Sequence, residues 1–313
     1  MTQHTSQTII NLTAVIVAVT DDQPRVLIVE QQGAGLPNGP FDPLQHDSLE
    51  SGLRQWVEAQ TGLDLYYVEQ LYTFGNRNRD PAELQGGPRV ISVAYMALTH
   101  EDAVETPTAE WRDWYSFLPW EDWRSGRPRI VDSQIEPALN RWIEQAQSRN
   151  EKELRRERAV IAFGLDGATW DGDRVLERYE VLFETLQVGE ALRPLNGGTD
   201  FRAVGGEMAF DHRRILATAL GRIRAKIKYR PVIFELESET FTLLQLQRCV
   251  ETLSGVQLHK QNFRRLVEGG GLVEGTGLRK QQTGGRPAAL FRFRREVLLE
   301  RPAPGVGLPG ATR

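Results

Sequence analysis

The chain holds 313 residues, with 38 Lys+Arg against 42 Asp+Glu, 40 % hydrophobic and 8 % aromatic residues. That composition excludes disordered and collagenous classes, and the length suggests about two domains. Its single cysteine, Cys249, excludes an intramolecular disulfide and a multi-cysteine zinc site. No apolar run reaches the roughly 20 residues of a membrane span, and MTQHTSQTII lacks a basic segment ahead of an apolar one, so a cytoplasmic location without membrane contact is expected.

Thr8–Thr20 is rich in β-branched residues and reads as a buried strand, turned at Asp21-Asp22-Gln23-Pro24 into a returning strand Arg25–Glu30. After a Gly- and Pro-rich loop from Gly33 to Pro43, Ser48 is an N-cap for a helix that presents Leu49, Leu53, Trp56 and Val57 on one face and stops at Thr61-Gly62. Strands follow at Tyr66–Phe74 and Val90–Leu98, the second central in its sheet because it alternates little. Trp111, Trp114, Trp120 and Trp123 read as a packed core edge. Asp132 or Ser133 caps a helix to Gln147, the charged run Arg149–Arg158 prolongs it or links onward, and another helix spans Asp173–Gln187. Pro194–Gly206 is a Gly-rich joint.

The net charge of −4 argues, as an average, against a polyanionic partner. Between Asp211 and Glu296, however, 17 basic residues face 8 acidic ones, which gives +9 there and −13 elsewhere. Such asymmetry suggests a nucleic-acid module joined to another domain; the plain alternative is a solvated cationic surface. The pattern within the block favours the first. Helices are expected at Ile215–Tyr229, at Leu243–Leu253 behind the N-cap Thr242, and at Lys260–Glu268, which closes at Gly269-Gly270-Gly271. A strand at Leu272–Glu274, a polar basic loop over Gly275–Pro287 and an alternating strand at Ala288–Arg294 complete the order of a winged helix-turn-helix. In the third helix Lys260 suits phosphate, Asn262 suits adenine, and Arg264 and Arg265 suit guanine. Thr242, and Gly285 with Arg286 in the wing, complete the expected DNA-contacting set; the glycine permits close backbone approach and the arginine grips a phosphate or a minor groove.

The N-terminal succession, with Leu36-Pro-Asn-Gly39, the helix ending Gln60-Thr-Gly-Leu63, Gln70–Gly75, Arg79-Asp-Pro81 and Arg89–Tyr95, resembles a Nudix domain of the ADP-ribose pyrophosphatase-like branch. The resemblance implies helix carboxylates that hold divalent metal against a diphosphate. Anchored on Gly62, however, the family pattern puts Gln55 at its arginine and Trp56, Ala59 and Gln60 at its three glutamates. Glu50 and Glu58 stand nearby out of register. No catalytic residues, metal ligands or cofactors are therefore expected. What persists is the pocket: Tyr72, Phe74, Arg79, Asp80, Arg89 and Ser92 occupy segments that line the nucleotide site in Nudix relatives.

The two halves together resemble the Nudix-related transcriptional regulators of NAD metabolism, the NrtR family. Asp211-His212, Lys226–Tyr229, Phe234–Leu236, Phe241–Leu243, Asn262–Arg265 and Gly285–Ala288 look like its hallmarks. The resemblance implies an α+β chain: a Nudix-like α/β/α sandwich with a mixed sheet over 1–150, a helical linker or dimerisation segment over 151–206, a winged helix-turn-helix over 207–298 and a disordered tail over 299–313. It further implies a homodimeric repressor that binds an operator in double-stranded DNA and senses ADP-ribose or a related NAD-derived nucleotide. The competing readings are an active Nudix hydrolase using Asp42, Asp47, Glu50 and Glu58, and a scaffold whose basic block binds an acidic protein.

Overall fold

A computed structural model describes residues 8–30, 33–77, 80–101, 104, 106–193, 203–280, 287–300 and 305–306. Two compact units interleave along the chain: Met1–Ala18, Arg25–Leu118 and Leu182–Ala219 form one, and Val19–Pro24, Pro119–Val181 and Leu220–Arg313 form the other. The segment read as a linker, 151–206, is thus shared between the two units rather than standing apart.

The first unit is built on a mixed sheet of β1 (Thr8–Thr20), β2 (Gln23–Glu30), β3 (Ala34–Gly35), β4 (Asn38–Pro40), β5 (Tyr67–Phe74), β6 (Arg89–Leu98) and β7 (Ala109–Asp113). The strands run β3-β2-β1-β6-β5, with β4 also paired to β1 and β7 to β2. β1 and β6 are parallel, which buries both: Leu12 to Ala18 is almost solvent-free, Thr13 included. Asp21 and Asp22 turn β1 into β2 with φ of 50° and 59°, the paired left-handed geometry that matches strand twist and that Asp tolerates. Helix α1 (Leu49–Thr61) begins with a Ser48–Ser51 capping box and ends on Gly62 at φ 76°. It lays Leu53 and Val57 against Leu12, Ile16 and Val93, each such burial contributing about 1.5–3 kcal/mol. Helix α2 (Pro81–Leu84), capped by Asp80, was not foreseen.

In chain order β7 is followed by α3 (Glu136–Glu144), α4 (Arg149–Phe163), α5 (Val175–Glu184) and α6 (Gly189–Leu192). A wide turn at Val131–Ile135 leads into α3, where Pro137 lacks the N–H that regular helical pairing would need. The charged run Arg149–Arg158 belongs to its own helix, because Ser148 accepts the Glu151 N–H at 3.1 Å and restarts the ladder.

The second unit buries an ionic cluster. Glu121, fully enclosed, accepts Arg178 Nε at 2.5 Å and Nη2 at 2.9 Å, and Arg224 Nη1 at 2.6 Å. Arg178 also donates to the carbonyls of Ala162 and Asp171, and Arg224 to those of Glu121 and Leu253. Both guanidinium carbons sit over the Trp170 ring, at 5.0 and 5.5 Å from its centroid. A buried charge with so many partners avoids the desolvation cost that an unpaired one carries. Of the four tryptophans expected at one core edge, Trp114 in the first unit and Trp120 in the second are solvent-free, while Trp111 and Trp123 are half-buried.

Helix α7 (His212–Tyr229) buries the expected stripe Ile215, Leu216, Ala219, Leu220, Ile223 and Ile227. It precedes α8 (Leu243–Ser254), α9 (Lys260–Gly269), β8 (Val273–Lys280), β9 (Ala288–Phe293) and α10 (Val297–Glu300). Phe241 adds a third short strand by exchanging two backbone hydrogen bonds with Phe291, at 2.9 and 2.8 Å. The turn from α8 to α9 is held by Gln247 Nε2, which donates to the Leu258 carbonyl, and by Glu251, which accepts the Leu258 N–H. β8 runs on to Lys280 where a loop was expected from Gly275. Its register shifts between Gly275 and Arg279, and Gly277 at φ 76° supplies the left-handed residue of the bulge. Of the tail expected from 299, Leu299 and Glu300 are helical, and Val306 is buried with its N–H on the Ile227 carbonyl. No helix among the described residues is long and apolar enough to cross a membrane.

Candidate ligand cavity and nucleic-acid interface

A cavity of about 220 Å³ opens in the first unit where β1, β4 and β6 meet, lined by Ile9, Asn11, Asn38, Pro40, Asp80, Val90, Ser92, Phe210, Asp211 and His212. Sheet register puts its polar wall together: Asn11 pairs with Ser92 across the parallel strands and with Pro40 across β4. Asn11 Nδ2 donates to Asn38 Oδ1 at 3.2 Å. His212, in the first turn of α7, accepts the Leu36 N–H on Nδ1 at 3.0 Å, so in the neutral ring Nε2 carries the proton. Phe210 holds φ at 52°, costly for an aromatic residue, with its ring 5.2 Å from that of His212. Phe210 also lines a second cavity of about 260 Å³ with Arg193, whose guanidinium donates to the Met208 and Phe210 carbonyls.

Of the six residues expected at a nucleotide site, Asp80 and Ser92 line the cavity. Asp80 also caps α2 by accepting the Ala82 N–H at 2.8 Å. Phe74 is buried core, and Tyr72 is 60 % exposed on β5 with its ring edge-on to Phe74. Arg89 donates to the Gly75 carbonyl at 2.6 Å. Arg79 lies outside the described residues. The residues missed, Asn11, Asn38 and Phe210, come from segments that only folding brings together; Asp211-His212 was marked as a family hallmark without a place in the pocket.

The metal that the Nudix resemblance implies does not fit the residues present. Trp56 Nε1 donates to the Pro40 carbonyl at 3.0 Å, and the Gln60 amide binds the backbone of Asn38. Among the carboxylates of the competing reading, Glu50 pairs with Arg54 at 2.8 Å and Asp42 accepts from Leu44 N and Gln45 Nε2, while Asp47 and Glu58 are exposed. Among the described residues no group of three His, Cys, Asp or Glu side chains is arranged to hold a metal ion.

In the second unit α9 buries Phe263 and Val267 and exposes Lys260, Asn262, Arg264 and Arg265. This is the amphipathic division a recognition helix needs, with apolar side chains on the domain core and side chains for phosphate and base edges in solvent. Thr242 differs from them: it is buried and its hydroxyl caps α8 by accepting Gln245 N–H at 3.2 Å, so the structure gives it a local structural role. Gly285 and Arg286 lie outside the described residues.

Comparison with known proteins finds both halves. Residues 233–293 match the model of the NrtR DNA-binding winged helix domain. The chain is 39 % identical over 87 residues to the ADPR responsive transcriptional repressor NtrR of Acinetobacter baylyi, a match over 28 % of this chain and 34 % of that one. The match thus spans about a third of the length of that curated relative. Shewanella oneidensis NrtR in complex with a 27mer DNA aligns over 92 % of this chain and 94 % of its own, with TM-score 0.56 and 22 % identity. A MutT/nudix family protein from Enterococcus faecalis covers 92 % of this chain and 87 % of its own, with TM-score 0.53 and 14 % identity. These matches agree with the resemblance drawn from the residues: residues 233–293 are similar to the NrtR winged helix, and the chain has the fold of the NrtR structures, a Nudix-like domain joined to a winged helix.

Proposed function

We propose that the protein is a DNA-binding transcriptional repressor of NAD metabolism genes, acting as a homodimer, whose Nudix-like domain binds ADP-ribose or a related nucleotide without hydrolysing it. The observation that carries this reading is the exposed Lys260, Asn262, Arg264 and Arg265 on one helix of a segment that matches the NrtR winged helix. The relative's name, an ADPR responsive repressor, supports the effector class.

The cavity chemistry suits that ligand. Carboxylates of Asp80 and Asp211 accept from ribose hydroxyls or a base amine, Asn11, Asn38 and Ser92 fix orientation, and the Phe210 ring offers a stacking face. Arg193, in the adjoining cavity that Phe210 shares, brings positive charge for a diphosphate. Helix α7 begins with the cavity residue His212 and, further along, carries Arg224, which holds the Leu253 carbonyl of α8. It offers a continuous element whose two ends respond to different partners. A ligand shifts DNA affinity only by its own difference in affinity for the two states, so this helix would have to differ between them.

Phe210→Gly tests the cavity assignment. Glycine accepts the left-handed backbone, so the change deletes the ring with little cost to folding. Calorimetric titration with ADP-ribose is expected to show binding weakened about tenfold or more, the worth of a stacking contact; unchanged affinity would remove Phe210 from the site. The hydrolase reading is tested by incubation with Mg²⁺ and ADP-ribose: release of AMP that Glu58→Gln abolishes would displace the regulator.

A further inference from the structure

The helix that carries metal-binding glutamates in the family pattern here does something else. Gln60 Oε1 accepts the Asn38 N–H at 3.1 Å while its Nε2 donates to the Asn38 carbonyl at 2.7 Å. Trp56 Nε1 donates to the Pro40 carbonyl at 3.0 Å. Between them Gly39 lies flat on the indole, where a Cβ would overlap the ring. Gln60 is itself anchored, its carbonyl accepting from Thr106 Oγ1 at 2.6 Å. Asn38 is fixed on its other side by Nδ2 donating to the Leu36 carbonyl at 2.8 Å. Asn38 and Pro40 are the two residues of β4 that line the cavity.

We infer that Trp56 and Gln60 are positioning residues for the ligand cavity: they clamp its β4 wall onto α1 by neutral hydrogen bonds and indole packing, and the protein therefore binds its ligand without a divalent cation. The inference deepens the nucleotide-sensor reading and rests on it for the identity of the ligand. The chemistry explains the residue types. A primary amide meets a backbone N–H and a backbone carbonyl at once, whereas an ionised carboxylate only accepts and would face the Asn38 carbonyl with a like partial charge. A glutamate at position 56 could neither cover Gly39 nor donate to Pro40. Metal ligation and the clamp are mutually exclusive uses of the same helix face.

The test is a titration of the full chain with ADP-ribose in EDTA and in Mg²⁺, for the wild type and Gln60→Glu, across about pH 7.5 to 4. Wild-type affinity at each pH is expected to be the same with and without metal, and it is the reference for the variant at that pH. Gln60→Glu, the same size and unable to donate when ionised, is expected to weaken binding about tenfold at neutral pH. It should recover as acid protonates the new carboxyl and restores a donor. A simple packing defect would not recover with acid. Wild-type binding that requires Mg²⁺, or a Gln60→Glu variant that binds like wild type at neutral pH, overturns the inference. Should the wild type bind no ADP-ribose in either condition, the sensor reading fails by itself. The clamp is then decided by hydrogen exchange and by Mn²⁺ resonance. Faster exchange of the Asn38 amide in Gln60→Ala, with no Mn²⁺ bound to the wild type, supports it; unchanged exchange or stoichiometric Mn²⁺ overturns it.

Discussion

Glu121→Ala is expected to destabilise the protein by about 3–5 kcal/mol, because it removes the carboxylate that the buried Arg178 and Arg224 share. The effect depends on pH with a definite sign. Burial by itself raises the Glu121 pKa, but the charges of Arg178 and Arg224 and their hydrogen bonds outweigh it and hold the carboxyl below its ordinary value of 4.5. A group whose pKa is depressed on folding contributes stability that is present above the unfolded value and is lost as pH falls through the folded one. Denaturant unfolding at neutral pH should therefore separate Glu121→Ala widely from wild type, and the gap should narrow as pH falls below the ordinary carboxyl value of 4.5. A gap that persists undiminished in acid would mean that the loss is one of packing and not of charge pairing. The cluster also joins two helices, because Arg224 sits on α7 and donates to the Leu253 carbonyl of α8.

Arg264→Ala or Arg265→Ala is expected to cost specific DNA binding about 1–3 kcal/mol, roughly ten- to hundredfold, and to relax discrimination at the base pair read. Lys260→Ala should weaken binding to all sequences alike and make the salt dependence shallower by about one released counterion. All three side chains are exposed, so thermal stability should stay within about 0.5 kcal/mol of wild type. Fluorescence anisotropy at several salt concentrations separates the two behaviours. If Arg264 and Arg265 variants kept both affinity and selectivity, α9 would not be the reading helix.

The parts of this protein that were legible in the sequence are those whose signals are local. Ser48 and Gly62 bracket α1 because a side-chain oxygen and a left-handed glycine satisfy helix ends wherever they occur. The stripe of α7 and the division of α9 into Phe263 and Val267 against Lys260 and Arg264 follow from helical periodicity alone. The cavity was legible only in part. Asn11, Asn38 and Phe210 carry no local mark, and what joins them to Ser92 is strand register and a chain excursion of more than a hundred residues. Tyr72 and Phe74 were drawn into the site by their segment, yet β5 is an end strand of the sheet and Tyr72 faces solvent there. The interleaved units were hidden for the same reason: Glu121, Arg178 and Arg224 are distant in sequence, and nothing in composition announces that they share one buried charge cluster. Conversely, the sequence shows Trp56 and Gln60 at positions where the Nudix pattern is expected to carry glutamates, but not their hydrogen bonds to Pro40 and Asn38.

A ligand-responsive repressor depends on coupling between occupancy of the Nudix-like cavity and the grip of the winged helix on DNA. Its most direct measurement is the affinity of the full chain for DNA from upstream of its own gene, titrated with and without saturating ADP-ribose and repeated for Phe210→Gly. ADP-ribose is expected to shift wild-type DNA affinity by about an order of magnitude, within the usual range of coupling energies, and Phe210→Gly to lose most of the shift at the same ligand concentration while still binding DNA. DNA affinity that is identical at zero and saturating ADP-ribose, in a protein shown to bind both, would contradict it.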